Sequence, residues 1–259
     1  AAIAHELAMR HSRSGVTEYQ LQSVIEGFFS YAGASGWSYP SIVGCGENAT
    51  ILHYTTNRDV CGDDEVILID AGAEFRGYAS DITRSWPISG SFTDAQREIY
   101  DIVLEAQLAA IDACRVGNLY TAPHDAARKV LAEGLIRLGV ITQSVEDAMD
   151  MDTGELKRWY MHNTSHWIGL DVHDAGVYKP GGAPRLLEPG MCLTVEPGLY
   201  FGAWRPDVDC PERYANIGIR IEDDVLITQD GPVVLTRTAQ KPLRTLNASL
   251  ATTHREVMV

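Results

Sequence analysis

The sequence predicts an α+β fold. Strand signals come in two blocks, 66–86 and 191–227, and each half of the chain sets its block beside a pair of helical patterns, as a diverged two-fold duplication would. With 45% hydrophobic residues in 259, the chain also carries enough apolar side chain for a sizeable core.

Each element has its own signal. The first ten residues read as a helix, with Ile3 and Leu7 one turn apart on a shared face. A second helix runs from Glu18 toward Phe29. The apolar run Val66-Ile67-Leu68-Ile69-Asp70 and the alternating segment 78–86 make a hairpin. Thr93 and Gln96 form a capping box. Ile99, Ile102, Val103 and Ala106 then recur at helical spacing until Gly117 stops a helix of about six turns. Pro123 at a first turn and Gly139 past a last turn bound another helix. The acidic segment 145–155 reads as a solvated loop, and 191–196 with 217–227 as a second hairpin or meander.

Charge narrows the partners. Acidic residues outnumber basic ones 35 to 21, a formal net charge of -14, so unaided binding to nucleic acid or to an anionic membrane is opposed and cationic ligands are favoured. No apolar run approaches the roughly 18–20 residues of a spanning helix, and the start lacks a signal-peptide layout, so the cytoplasm is expected. Five cysteines, an odd number without CxxC spacing, suit reduced and mostly buried thiols.

The strand blocks end in carboxylates. A hairpin turning between Phe75 and Arg76 pairs Asp70 with Asp81, bringing their Cβ atoms to about 4.5–5.5 Å. Two carboxylates that close repel unless one is protonated or a cation lies between them. The alternative is a different register, with one aspartate merely ending its strand. Glu196 follows Leu193-Thr194-Val195, and Glu222 closes 217–221. Period-two alternation sends Ile217, Ile219 and Ile221 to a core and Gly218, Arg220 and Glu222 to the opposite face. Asp81 and Thr83 share a face in the same way, which lets the Thr83 hydroxyl orient a carboxylate. Between the blocks, His162, His166 and His173 fall within twelve residues, three of the eight histidines in the chain. The i, i+4 pair lacks the zinc-helix signature, because position 163 is Asn where that signature needs Glu. Four carboxylates and an imidazole suit Mn²⁺, Fe²⁺ or Co²⁺ and admit Zn²⁺. Two divalent cations balance four negative charges, which favours two over one.

At these residues the sequence resembles the pita-bread metallopeptidases, and among them the aminopeptidase P group. The resemblance rests on SIVGCGENATILHYT, VILIDAGAEFRGYASDITRSWP, FTDAQREIYDIVLEAQ, MHNTSHWIGLDVHDAGVY, LEPGMCLTVEPGLYF and IGIRIEDDVLIT, in family order from Ser41 to Thr228. It implies a pita-bread fold, a pseudo-two-fold duplicated antiparallel sheet flanked by helix pairs. The metal positions it implies are Asp70, Asp81, His166, Glu196 and Glu222, with Asp81 and Glu222 bridging two divalent ions, Mn²⁺ first among them. His53, His162 and His173 match the family's catalytic or substrate-binding histidines, and Arg220 and Tyr200 match residues close to the metals. By resemblance, a metal-activated hydroxide attacks the carbonyl of the first residue, Glu196 shuttles the proton, His173 supports the oxyanion, and His162 holds the proline side.

The substrate implied is a peptide with proline at position two. The family admits a homo-oligomer. Two departures stand out. Asn163 replaces the usual glycine, either using Asn's tolerance of left-handed backbone or narrowing the pocket. Nothing corresponds to the family's usual N-terminal domain, so residues 1–259 read as a single catalytic domain. Prolidase shares the ligand set, methionine aminopeptidase shares the fold with a poorer motif match, and a pita-bread binding module without metal is the non-enzyme alternative.

Overall fold

Ala4, Ala8, Met9, Leu21, Ile25 and Phe29 line the inner faces of two helices, and Val43, Ile67, Ile69 and Trp86 meet them from a sheet. These residues form the core of the amino half. In the computed structural model, which describes residues 1–241, the helices are α1 (Ala2–His11) and α2 (Glu18–Tyr31). The strands that follow are β1 (Gly36–Trp37), β2 (Ile42–Cys45), β3 (Val66–Asp70), β4 (Ala73–Glu74) and β5 (Thr83–Pro87). They form an antiparallel sheet ordered β2-β3-β5 and a short β1-β4 ribbon. The end of the domain expected over 1–259 lies outside the described residues.

The carboxyl half repeats the scheme. Helices α3 (Asp94–Ala113) and α4 (Ala122–Arg137) pack together, followed by the short α5 (Val145–Ala148). Five strands complete it: β6 (Cys192–Val195), β7 (Gly198–Tyr200), β8 (Gly218–Arg220), β9 (Asp223–Thr228) and β10 (Gly231–Val234), arranged as β6-β9-β10 and β7-β8. Ile99, Val103, Leu131 and Leu135 from the helices share one apolar cluster with Leu193, Val195, Ile219 and Ile221. The expected α+β class with antiparallel sheets and helix pairs is the one observed.

The halves are joined strand to strand. The Ser85 hydroxyl donates to the Arg220 carbonyl and accepts from the Arg220 N–H, and the Glu222 N–H donates to the Thr83 carbonyl. Behind this seam Arg84, fully buried, pairs with Asp223 at 2.7 Å and donates to the carbonyls of Glu222 and Ala239. Lys241 and Gln107 complete the shell around Asp223, both reaching its Oδ2.

Several expectations need correction. The α1 helix exists, but Ile3 is exposed and the buried face carries Ala4, His5, Ala8 and Met9. Ala and His give that face too weak an apolar signal. The hairpin turns one position later than expected. Phe75 bridges Tyr78, and Arg76 and Gly77 both have positive φ, the geometry of a two-residue type I′ turn. Asp70 therefore pairs with Thr83 and not with Asp81. The segment 145–155 contains α5, capped by Ser144, before its turns. Cys45 and Cys61 form a disulfide with Cα atoms 5.5 Å apart, so the reading of five reduced thiols holds only for Cys114, Cys192 and Cys210. The two lie sixteen positions apart, a spacing with no signature of its own.

Gly72 shows how tightly the carboxylate hairpin is packed, because a Cβ there would lie 1.6 Å from the Ser80 carbonyl oxygen. Backbone cannot yield that distance. Gly72→Ala is expected to cost about 3 kcal/mol or more in urea denaturation. Gly27→Ala, in α2 with nothing within 4 Å, is expected to stabilise by about 0.5–1 kcal/mol.

Candidate metal centre

Strand ends deliver the carboxylates to one place. β3 closes on Asp70, and β5 opens at Thr83, two residues after Asp81. The observed register offsets Asp70 and Asp81 by two residues, which keeps both on one face of the sheet. The Tyr39 hydroxyl lies 2.5 Å from Oδ1 of each, and its single proton serves one at a time. Glu196 directly follows β6, and Glu222 lies between β8 and β9. Asp81, Glu222 and His166 present ligand atoms that all lie within 4.8 Å of one another.

His166 arrives from a loop, not a helix. Its segment runs beside β6, with Thr194 N–H donating to the His166 carbonyl and Glu196 N–H to the Thr164 carbonyl. The His166 N–H in turn donates to the Thr194 hydroxyl at 3.1 Å. Nδ1 of His166 lies 3.0 Å from the Trp167 carbonyl, which can only accept, so Nδ1 carries the proton and Nε2 keeps its lone pair. Nε2 faces Asp81 at 3.4 Å and Glu196 at 3.6 Å. An imidazole fixed in this tautomer is the form a cation needs.

The electrostatics are those of crowded acids. Burial, then the charges of Asp70 and Asp224, pushes Asp81 well above the usual carboxylate range. Glu222 is raised likewise by burial, then by Asp81 and Glu196. Burial raises Glu196 to about 7 despite His166 and Arg220. Asp70 alone is lowered. Burial opposes this, but the Arg220 guanidinium, 2.7 Å from its Oδ2, outweighs that penalty with the help of Tyr39. Three of the four carboxylates are thus costly to ionise together, a cost that cations would relieve, and the donor set fits hard divalent ions.

Around these groups runs a directed hydrogen-bond chain. Arg220 Nη1 donates to the Tyr200 hydroxyl at 3.0 Å, and Tyr200 donates to His162 Nε2 at 2.7 Å, because Nδ1–H of His162 is taken by the Asn163 carbonyl. Burial and the Arg220 charge lower His162 to about 3, so its ring is neutral at pH 7. Arg220 is buried, and its Nε donates to Thr83. Thr83 in turn donates to Glu222 at 2.6 Å, so the hydroxyl expected to orient a carboxylate serves Glu222 rather than its strand neighbour Asp81. His173 stacks edge-on against His166, centroids 4.3 Å apart, and is exposed. His53 is also exposed. Asn163 does not use left-handed backbone. It lines a cavity of about 310 Å³ together with His162, Tyr160 and Arg128.

Some residues at the centre were not singled out from the sequence. Tyr39 comes from a loop before Pro40 and carries no pattern. Asp224, buried and raised to about 7 chiefly by burial, accepts the Asp81 N–H at 3.2 Å. Thr194, two residues before Glu196 on the same strand face, was legible from alternation and donates to Glu196 at 3.4 Å.

A family model described as metallopeptidase family M24 matches residues 1–229. The chain belongs to this family. The M24 chain is 44% identical over 255 residues to the Xaa-Pro aminopeptidase of Escherichia coli (strain K12), covering 98% of this chain and 56% of that protein. A glutamate-to-alanine variant of Escherichia coli aminopeptidase P in complex with substrate matches with TM-score 0.89 and 45% identity, covering 96% of this chain and 56% of that one. Aminopeptidase P from the same organism with the inhibitor Pro-Leu matches with the same TM-score, identity and coverage. The M24 chain therefore has the pita-bread fold, and it spans about half the length of the curated relatives it matches. Membership of a metallopeptidase family and the carboxylate–histidine cluster both point to divalent metal ions. Among the described residues, no helix is long and apolar enough to cross a membrane.

Proposed function

We propose that the chain is the catalytic unit of a two-cation aminopeptidase that releases the first residue of peptides whose second residue is proline. The observation that carries this reading is the convergence of Asp81, His166 and Glu222 within 4.8 Å, with Asp70 and Glu196 alongside. These five residues would hold the ions, Asp81 and Glu222 serving both. Two divalent cations neutralise four carboxylates, and Mn²⁺ is the expected metal, with Co²⁺, Fe²⁺ or Zn²⁺ as substitutes. When bound, such ions supply Lewis acidity and a water acidic enough to act as a nucleophile at neutral pH.

The chain's own side chains do the rest. Glu196, basic enough to hold a proton near pH 7 without cations, takes up and returns the proton that moves to the leaving proline nitrogen. His173, whose pKa lies below the ordinary value through desolvation and then the neighbouring His166, stays neutral and offers an N–H to the developing oxyanion. The Arg220–Tyr200–His162 chain fixes the His162 ring for the proline side, and His53 contacts substrate at the mouth. The peptide's free α-amine is drawn to the carboxylates, which limits cleavage to one residue. Proline lacks an amide hydrogen and has a fixed φ, so a site shaped for it leaves no donor unsatisfied. The relatives named Xaa-Pro aminopeptidases and the Pro-Leu complex support the proline preference.

The test is turnover with Mn²⁺ on an Xaa-Pro tripeptide, an Xaa-Pro dipeptide and a Met-Ala peptide. The tripeptide is expected to be cleaved. Dipeptide-only cleavage would make the enzyme a prolidase, and preference for Met-Ala would make it a methionine aminopeptidase. His173→Ala is expected to lower kcat by roughly 10²–10³-fold with little change in KM, whereas His162→Ala raises KM as well. Full activity of His173→Ala would remove its assigned role.

A further inference from the structure

Glu18, the first residue of α2, is fully buried, yet its carboxylate does little for its own helix. It accepts four hydrogen bonds of 2.9 Å each. Oε1 takes the Cys45 N–H and the Asn48 amide, and Oε2 takes the Tyr54 hydroxyl and the Asp59 N–H. All four donors belong to one segment, 45–59, and His53 sits inside it beside Tyr54. The Glu18 N–H also donates to the Asp59 carbonyl at 3.0 Å, so backbone and side chain grip the same segment.

Other contacts hold that segment against the candidate centre. The Cys45–Cys61 disulfide closes its base. A Cβ on Gly218 would lie 2.1 Å from the Ala49 carbonyl, so the segment presses directly onto β8, the strand that carries Arg220. Leu52 and Tyr54, flanking His53, pack on the small cluster that contains Tyr200. His53 itself is exposed, and its placement comes from these anchors.

We propose that Glu18 is a positioning residue for His53, setting peptide affinity from the far side of the segment without touching substrate. This rests on the reading of His53 as a substrate-contacting group. A hydrogen bond to a buried carboxylate is stronger than a neutral one. Replacing one acceptor oxygen by an amide sets its N–H against at least one backbone or amide donor, Asp59 N–H on one side or Cys45 N–H and the Asn48 amide on the other, while weakening the remaining contacts. The segment then samples other positions, and binding pays for reordering it.

The probe is Pro-Leu, the dipeptide bound in the Escherichia coli relative, with its dissociation constant measured by calorimetry on the Mn²⁺-loaded chain. Glu18→Gln is expected to weaken binding roughly tenfold while metal stoichiometry stays unchanged. Tyr54→Phe removes one donor with no loss of bulk, keeps the test open should Glu18→Gln fail to fold, and is expected to weaken binding about threefold. In a His53→Ala background neither substitution should weaken binding further. A lowered melting temperature with unchanged affinity would make Glu18 a staple of the fold and overturn the proposal, as would full effects persisting in the His53→Ala background. Wild-type affinity in His53→Ala, by contrast, would sink the underlying reading of His53, and this inference with it.

Discussion

Asp81→Ala is expected to abolish peptide turnover and to remove more than one equivalent of bound metal. Asp81 lies within reach of His166 and Glu222 on one side and shares Tyr39 with Asp70 on the other, so its carboxylate faces both parts of the cluster. Substitution of an outer hydrogen-bond partner of a metal ligand commonly costs 10–100-fold in affinity, and loss of a shared ligand should exceed that range. Metal analysis after loading and dialysis reads the result directly. The apo protein is expected to move the other way. Burial and the Asp70 charge make Asp81 costly to ionise, so Asp81→Ala without metal should melt no lower than the wild type without metal at pH 7. Two equivalents retained by Asp81→Ala would refute the shared-ligand assignment.

Chelation is expected to lower the melting temperature at pH 7 by roughly 5–10 °C, and the gap should close toward pH 5. Without cations, Asp81, Glu222 and Glu196 all have folded-state pKa values above their unfolded ones, Glu196 at about 7. An acid raised on folding binds more protons folded than unfolded. It therefore stabilises the fold below its unfolded pKa, and that stability is lost as pH rises through the folded value. For Glu196 the window runs from its ordinary value of 4.5 to about 7. Cations cancel the repulsion at the top of this window and are displaced by protons at the bottom. Asp223 has the opposite sign. Burial alone would raise it, but Arg84 and Lys241 hold it at about 2, so its contribution is present above 3.8 and lost as pH falls through about 2. Melting curves between pH 5 and 7, with and without chelator, isolate the first window from the second. Identical curves at pH 7 would contradict the carboxylate cluster.

The sequence carried the parts of this structure whose causes are local. Thr93 and Gln96 cap α3 as their spacing indicated, and Pro123 marks the start of α4. Alternation correctly sorted Ile217, Ile219 and Ile221 from Arg220 and Glu222, because period two is a property of any extended chain. The hairpin register was missed by two residues, since Arg76 takes a positive φ that nothing in an arginine side chain announces. The face was kept only because the error was even. Tyr39, Glu18 and the Cys45–Cys61 pair were illegible for another reason. Their partners lie 16 to 42 positions away in sequence, and only the packed fold brings them together.

The seam between the halves also bears on how the molecule comes into being. Asp70 and Asp81 project from the sheet of the first apolar cluster, whereas His166, Glu196 and Glu222 are borne by the second. Some 150 positions separate the first of these residues from the last. An ion meeting the unfolded polypeptide finds scattered acids and no chelate. The five groups converge only where the two clusters meet and β5 lies against β8, a non-local arrangement. Metal is therefore expected to act as a latch on the folded molecule, slowing unfolding while leaving the folding rate to the apolar clusters, which stopped-flow unfolding and refolding with and without chelator would read.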